Sequence, residues 1–338
     1  MGEVEERELS NFSNELGEVI EQFSRDASHV DTADSIPAGH LDRLAALGLY
    51  GVFAPPDDGG LGLGLSEMST FVEELAAACL ATTFVWIQHF RLLAAVLDPT
   101  GPPILRDQYL RVISGEVRGG VALGGLQPGP ARLHATPTPD GWLLKGDAPW
   151  VSGWGVVDEL FIAARGPDNT VVNIVIDAHD KPGLEVTRHH LSALNASATV
   201  RLVFDSLPVE GARMVGQNPH DPSRETPEGL RVNGSLALGL TRRCCALLGP
   251  SPLDDELISC RRNLDNATME TMAQARAGAC ELAARASHAL AVYRGSSSVI
   301  SGDIAERTAR EAALLLTFGS RPAIKQALLK DLGATSLS

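Results

Sequence analysis

Residues 149–155 read Pro149-Trp150-Val151-Ser152-Gly153-Trp154-Gly155 and set two aromatic rings, a hydroxyl and two glycines on one short turn. These residue types suit a flat ring system. The rings wall it, the hydroxyl bonds its edge, and glycine lets the backbone come close. A second stretch, Ala305-Glu306-Arg307-Thr308-Ala309-Arg310-Glu311-Ala312, runs on to Leu316-Thr317-Phe318-Gly319-Ser320-Arg321. Gly319 has no side chain, and neither Ser320 nor Arg321 beside it is a base at neutral pH. Arg321 instead offers a guanidinium, suited to a carboxylate, a phosphate or another anionic group.

Positioning these residues requires a sizeable scaffold, and the chain has one. Its 338 residues are 44% hydrophobic and 21% charged, enough for two or three domains. The net charge of −14 argues against nucleic acid or an anionic membrane surface as a partner, since both need a basic face. Five cysteines (Cys79, Cys244, Cys245, Cys260 and Cys280) form no C-x-x-C pair, so reduced thiols and a cytoplasmic location are expected, with no metal site. The N-terminus is acidic and lacks the apolar core of a secretory signal. No apolar run is expected to reach the roughly 20 residues of a membrane span.

Periodicity divides the chain into regions. Up to about Arg118 it is helical: Leu41, Leu44 and Leu47 share a face that Gly48 closes, Ser66 is the expected cap of a helix carrying Phe71, Val72, Leu75 and Cys79, and the apolar run from Phe84 to Phe90 should be buried. From Gly119 to Gly216 the period is two, as in Val200, Leu202 and Phe204, and the reading is a small antiparallel barrel or sandwich. Residues 217–228 hold three prolines and read as a linker. Residues 229–338 are helical and alanine-rich, with a break at Gly295-Ser296-Ser297-Ser298. The expected division is therefore 1–118 helical, 119–216 β, 217–228 linker and 229–338 helical bundle, an α+β multidomain chain.

Helices, an all-β insert and helices again, together with several short motifs in order, resemble the acyl-CoA dehydrogenase family along almost the whole chain. The motifs are Leu47-Gly48-Leu49-Tyr50-Gly51, Pro56-Asp57-Asp58-Gly59-Gly60-Leu61-Gly62, Glu73-Glu74-Leu75-Ala76, and Asp140-Gly141-Trp142 leading to Trp150-Val151-Ser152. The resemblance implies an N-terminal helical domain, a middle β-barrel or sandwich and a C-terminal bundle, here shortened. It implies FAD as cofactor, with Trp150 against the flavin, Ser152 near its N5, Gly153 and Gln127 beside the ring, and Gly295 and Ser296 near its phosphates. It places the family's proton-abstracting Glu at Gly319, so the base is missing; Asp303 and His89 are the substitutes the sequence suggests. Arg321 is a candidate substrate residue.

The function implied is that of an FAD-dependent oxidoreductase acting on the α,β carbons of an acyl-CoA or other acyl thioester. Without its own base, the chain is expected to serve as a subunit beside a full-length acyl-CoA dehydrogenase, in a homo- or hetero-oligomer held by the Ala-rich stretch Ala273 to Ala291. Two alternatives stay open: a reduced-flavin monooxygenase of the same fold, and a flavin-free structural paralogue.

Overall fold

A computed structural model describes residues 3–126, 129–221, 227–319 and 321–334, with the side chains of residues 3–10 left out of account. The N-terminal region holds α1 (Glu3–Thr32), α2 (Ala38–Ala46), α3 (Leu65–Ala78), α4 (Leu80–Trp86), α5 (Phe90–Leu97) and α6 (Pro103–Ile113). Gly48 takes the left-handed conformation after α2, as its position suggested. α3 starts two residues earlier than a Ser66 cap would have it, with Gly64 as the cap: the Glu67 carboxylate accepts from the Gly64 N–H at 2.9 Å.

Cys79 is extended and separates α3 from α4, and a single 3₁₀ turn then separates α4 from α5. The segment Leu80–Leu97 is apolar enough over 18 residues to cross a membrane by length and composition alone, just short of the roughly 20 residues expected of a span. Its side chains are the centre of the helical core instead, with Leu80, Phe84, Val85, Trp86, Leu92 and Leu93 all buried.

The middle region forms one sheet from β1 (Gly119–Ala122), β2 (Leu133–Thr138), β3 (Gly141–Val151), β4 (Glu159–Arg165), β5 (Thr170–Asp177), β6 (Leu184–Arg188), β7 (Val200–Glu210) and β8 (Met214–Pro219). The order is β6-β7-β3-β2-β4-β5-β8, with β1 alongside β4. The sheet is mixed rather than purely antiparallel, because β1 and β2 both run parallel to β4. The β2–β3 hairpin lies between β1 and β4 in sequence and returns the chain to the same end of the sheet. β8 extends to Pro219 along β5, so the first residues of the expected linker belong to the sheet.

The C-terminal region is a bundle of α7 (Pro227–Leu248), α8 (Pro252–Asp265), α9 (Met272–Arg294), α10 (Ile304–Thr317) and α11 (Pro322–Asp331). The two helical regions share one hydrophobic core, which runs from Leu44 and Val72 to Leu236 and Ala283, while the sheet keeps its own around Leu144, Ile162, Ile174 and Phe204. α3 and α7 touch because Gly239 has no side chain: a Cβ there would lie 2.6 Å from the Glu73 carbonyl oxygen. The alanines of α9 pack inward. Ala277, Ala279, Ala283 and Ala286 are fully buried within the chain's own bundle, so they are not the oligomer surface that their composition suggested.

Candidate cofactor and substrate site

α4 is where the two sequence-distant segments meet. A Cβ on Gly153 would come within 3.3 Å of the Val85 side chain, and the next residue along, Phe84, packs edge-on against Phe318 with ring centroids 4.7 Å apart. The segment after β1 closes the third side, where the Leu126 carbonyl accepts from the Arg321 guanidinium at 3.4 Å. The turn after β3 and Phe318 therefore meet at α4, and Arg321 links the segment after β1 to them. Of the residues singled out in the sequence, this groups Gly153, Gly319 and Arg321, with Trp150 and Ser152 at its edge.

Trp150 belongs to β3, at a register irregularity between Ala148 and Val151, and the tight turn follows only at residues 154–156. One face of its ring leans on His189, centroids 4.6 Å apart, and His189 is fixed by its Nε2 hydrogen bond to the Pro149 carbonyl at 2.7 Å. The ring is nevertheless 61% exposed. A large aromatic side chain left open beside a turn is the feature here that fits a stacked planar ligand.

The other ring-side candidates are already engaged. The Ser152 hydroxyl is buried and shares a hydrogen bond with Thr199 Oγ1 at 2.8 Å, and Thr199 in turn bonds Ser197 Oγ at 2.7 Å. Gly153 has a positive φ of 87° and lies tight against Val157, so its glycine is required by the protein's own packing. The same holds for Gly124 and Gly125, where a Cβ would strike the Asp147 carbonyl oxygen and the Ala164 backbone at 2.5 Å each. Gln127 and Ser320 lie outside the described residues.

Gly319 follows α10 with φ +60° and would place a side chain 3.5 Å from the Asn233 amide, near the start of α7. An amide and an aromatic ring thus surround the position, and neither takes up a proton. The charges nearby come from two residues that the sequence reading passed over. Arg91, solvent-accessible by surface area yet crowded by protein, has its pKa lowered first by desolvation and next by the like charge of Arg321, while Glu228 in the first turn of α7 opposes the shift. Arg91, Arg321 and Glu228 are thus electrostatic neighbours. A basic residue interrupting the apolar run at Phe90-Arg91-Leu92 was the available signal for the first. Nothing local marks Glu228.

Both substitute bases named from the sequence serve the fold. Asp303 caps α10 by accepting from the Ala305 N–H at 2.8 Å and pairs with Arg294 at 2.6 Å, which together hold its carboxyl below the usual range. His89 is fully buried; its Nδ1 accepts from the Gly119 N–H at 3.0 Å, and desolvation lowers its pKa to about 3. Glu311 forms a buried ion pair with Arg243 that ties α10 to α7. Gly295 and Ser296 sit beyond the C-terminal end of α9, beside the start of α10. The 14 residues of α10 separate them from Gly319, a span of about 20 Å at 1.5 Å per residue.

Residues 7–116 match the family model described as acyl-CoA dehydrogenase, N-terminal domain. Over 237 residues the chain is 30% identical to L-evernosamine nitrososynthase of Micromonospora sp., covering 67% of this chain and 56% of that protein. It spans between 54% and 62% of the length of three curated relatives it matches. Among solved structures, butyryl-CoA dehydrogenase from Megasphaera elsdenii superimposes with a TM-score of 0.81 at 16% identity, over 96% of this chain and 97% of that one. Dibenzothiophene monooxygenase from Paenibacillus sp. does so with a TM-score of 0.75, also at 16% identity, over 96% and 97%.

Proposed function

Since the chain belongs to the acyl-CoA dehydrogenase family, we propose that it is a flavin-dependent oxidoreductase working without a proton-abstracting side chain at position 319. The observation that carries this reading is Gly319 itself, bordered by Asn233 and Phe318 where α,β-dehydrogenation needs a carboxylate in a dry site. The open face of Trp150 would hold the isoalloxazine ring of FAD. When bound, that group supplies the two-electron redox chemistry. Arg321 and Arg91 would bind and orient an anionic part of the substrate, an acyl-CoA or related acyl thioester, through charge-assisted hydrogen bonds. Phe84 and Phe318 would keep water from the reacting carbons. Five unpaired cysteines, four of them buried, favour a reducing compartment such as the cytoplasm.

Two forms of this reading differ in where the proton chemistry lies. In the first, the chain is the base-less subunit of a heteromeric dehydrogenase and completes the flavin site of a full-length partner. In the second, oxygen rather than a dehydrogenation acceptor takes part, and no α-proton need leave. The nitrososynthase relative favours it, since forming a nitroso group by name adds oxygen to a substrate. This second form asks less of the chain, because no partner need lend a base.

The test is an absorbance spectrum of the purified protein, followed by two assays. Oxygen consumption with reduced FAD, and no turnover of saturated acyl-CoA, supports the second form; turnover that appears only on co-expression with a full-length homologue supports the first. Turnover of a saturated acyl-CoA by the isolated chain defeats both, and Glu228→Gln would then be the first substitution to make. No flavin under any of these conditions leaves the flavin-free paralogue.

A further inference from the structure

A cavity of about 350 Å³ opens between α1, α3, α7 and α10. Its walls include the apolar side chains of Ile20, Ala77, Leu247 and Ile304, and three arginines, Arg242, Arg243 and Arg307, border it. Two of these are matched. Arg242 pairs with Glu74 at 3.0 Å, and Arg243 donates to the Ala76 and Ala77 carbonyls and to Thr308 besides its ion pair with Glu311.

Arg307 is the exception. Only 5% of its surface is exposed, and among the described residues its Nε has no hydrogen-bond partner. Glu311 approaches no closer than 3.9 Å and is already held by Arg243. Asp31, the other carboxylate acting on Arg307, is held by both terminal nitrogens of Arg310. Arg307 therefore borders the cavity with no carboxylate in hydrogen-bond contact, Glu311 being the nearest at 3.9 Å, and its Nε is left unpartnered. Leaving such a group unsatisfied is costly, and a charged one more so.

We propose that this cavity is a binding site for a small amphiphilic carboxylate, its head on Arg307 and its apolar part along Ile20, Ala77, Leu247 and Ile304. The planar edge of a guanidinium matches a carboxylate in two parallel hydrogen bonds. The cavity has the size of a small-molecule pocket, its apolar side chains standing beside Ser24, the Arg242–Glu74 pair, Arg243 and Arg307. It is separate from the site around Gly319, since Thr317 lies ten residues further along α10 than Arg307, roughly 15 Å.

Isothermal titration calorimetry on the full chain tests this, with octanoate as probe and octanol and acetate as controls for the charge and the tail. Octanoate is expected to bind at least tenfold more tightly than either control. Arg307→Gln should weaken it at least tenfold, and Ala246→Trp, a substitution at an exposed wall residue, should abolish it with the circular dichroism spectrum unchanged. The proposal is overturned if wild type takes up no octanoate, or if octanol binds as well as octanoate. It is equally overturned if octanoate binds both variants as it binds wild type, since the ligand then sits elsewhere, for instance in the acyl site. Should Arg307→Gln fail to fold, Ala246→Trp decides the matter alone.

Discussion

Trp150 and Ser152 looked like one functional unit in the sequence, and their environments separate them. Trp150 is open and stacked on His189, whereas Ser152 is the buried end of a hydroxyl chain through Thr199 to Ser197. Trp150→Ala is therefore expected to remove most bound flavin, read as the loss of visible absorbance per protein, with no change in melting temperature. Ser152→Ala should keep its flavin and lose about 1 kcal/mol of stability in denaturant titrations, the usual net worth of a buried hydrogen bond. Equal flavin occupancy in wild type and Trp150→Ala would refute the placement of the ring. His89 carries a pH dependence. Its pKa falls from 6.5 to about 3 on folding, because burial disfavours the charged imidazole. The native state then binds fewer protons than the unfolded one below pH 6.5, so stability declines with acidification from there toward pH 3, with a slope of up to about 1.4 kcal/mol per pH unit. Denaturant midpoints at pH 7, 6 and 5 should show the decline in wild type and a shallower one in His89→Gln. Most carboxylates stay ionised across that interval.

Among elements, α10 does two jobs. Its C-terminal end delivers Phe318, Gly319 and Arg321 to α4 and to the end of β1, and its middle anchors it to α7 through Glu311 and Arg243. Glu311→Ala would leave Arg243 without its carboxylate in the core and Arg307 further from any. Breaking a buried pair from one side costs about 3–5 kcal/mol, so a loss of that order in the unfolding free energy is expected, with circular dichroism confirming that the fold survives. A loss below about 1 kcal/mol would mean that water reaches the pair. The helices and strands themselves were legible wherever side chains repeat with a clear period, as in α2, α3 and β7. The misreadings came where period carries no information. An apolar run through α4 and α5 does not show its break at the 3₁₀ turn Ile87–His89, a parallel pairing of β1 with β4 leaves no local mark, and the Glu67 cap of α3 uses a backbone N–H that no motif announces.

On the scale of the whole molecule, the end of α9 and the turn after it leave Val292, Tyr293, Val299 and Ile300 between 62% and 83% exposed. Such a patch on a chain whose other large apolar side chains are mostly buried suits a subunit contact. We expect a dimer or higher oligomer by light scattering, burying upwards of about 2,000 Å², with Val299→Asp combined with Tyr293→Asp shifting it toward monomer. Ala279→Glu and Ala283→Glu, in contrast, should unfold the bundle, because both alanines are at 0% exposure inside it. A wild-type monomer at micromolar concentration, alone and with a full-length homologue, would remove the basis for a shared site. The order helices, β insert, helices and the run of short motifs were enough to determine the architecture, and through the family resemblance they pointed to a class of cofactor to look for and to Gly319 where that resemblance expects a Glu, since these depend on residue type and order along the chain. Only the tertiary structure decided which of those residues still have a free group. Burial and hydrogen-bond partners are properties of neighbours distant in sequence: they left Trp150 open and closed Ser152, made Asp303 a helix cap, set Arg91 and Glu228 beside Arg321, and left Arg307 facing a cavity with a donor unused.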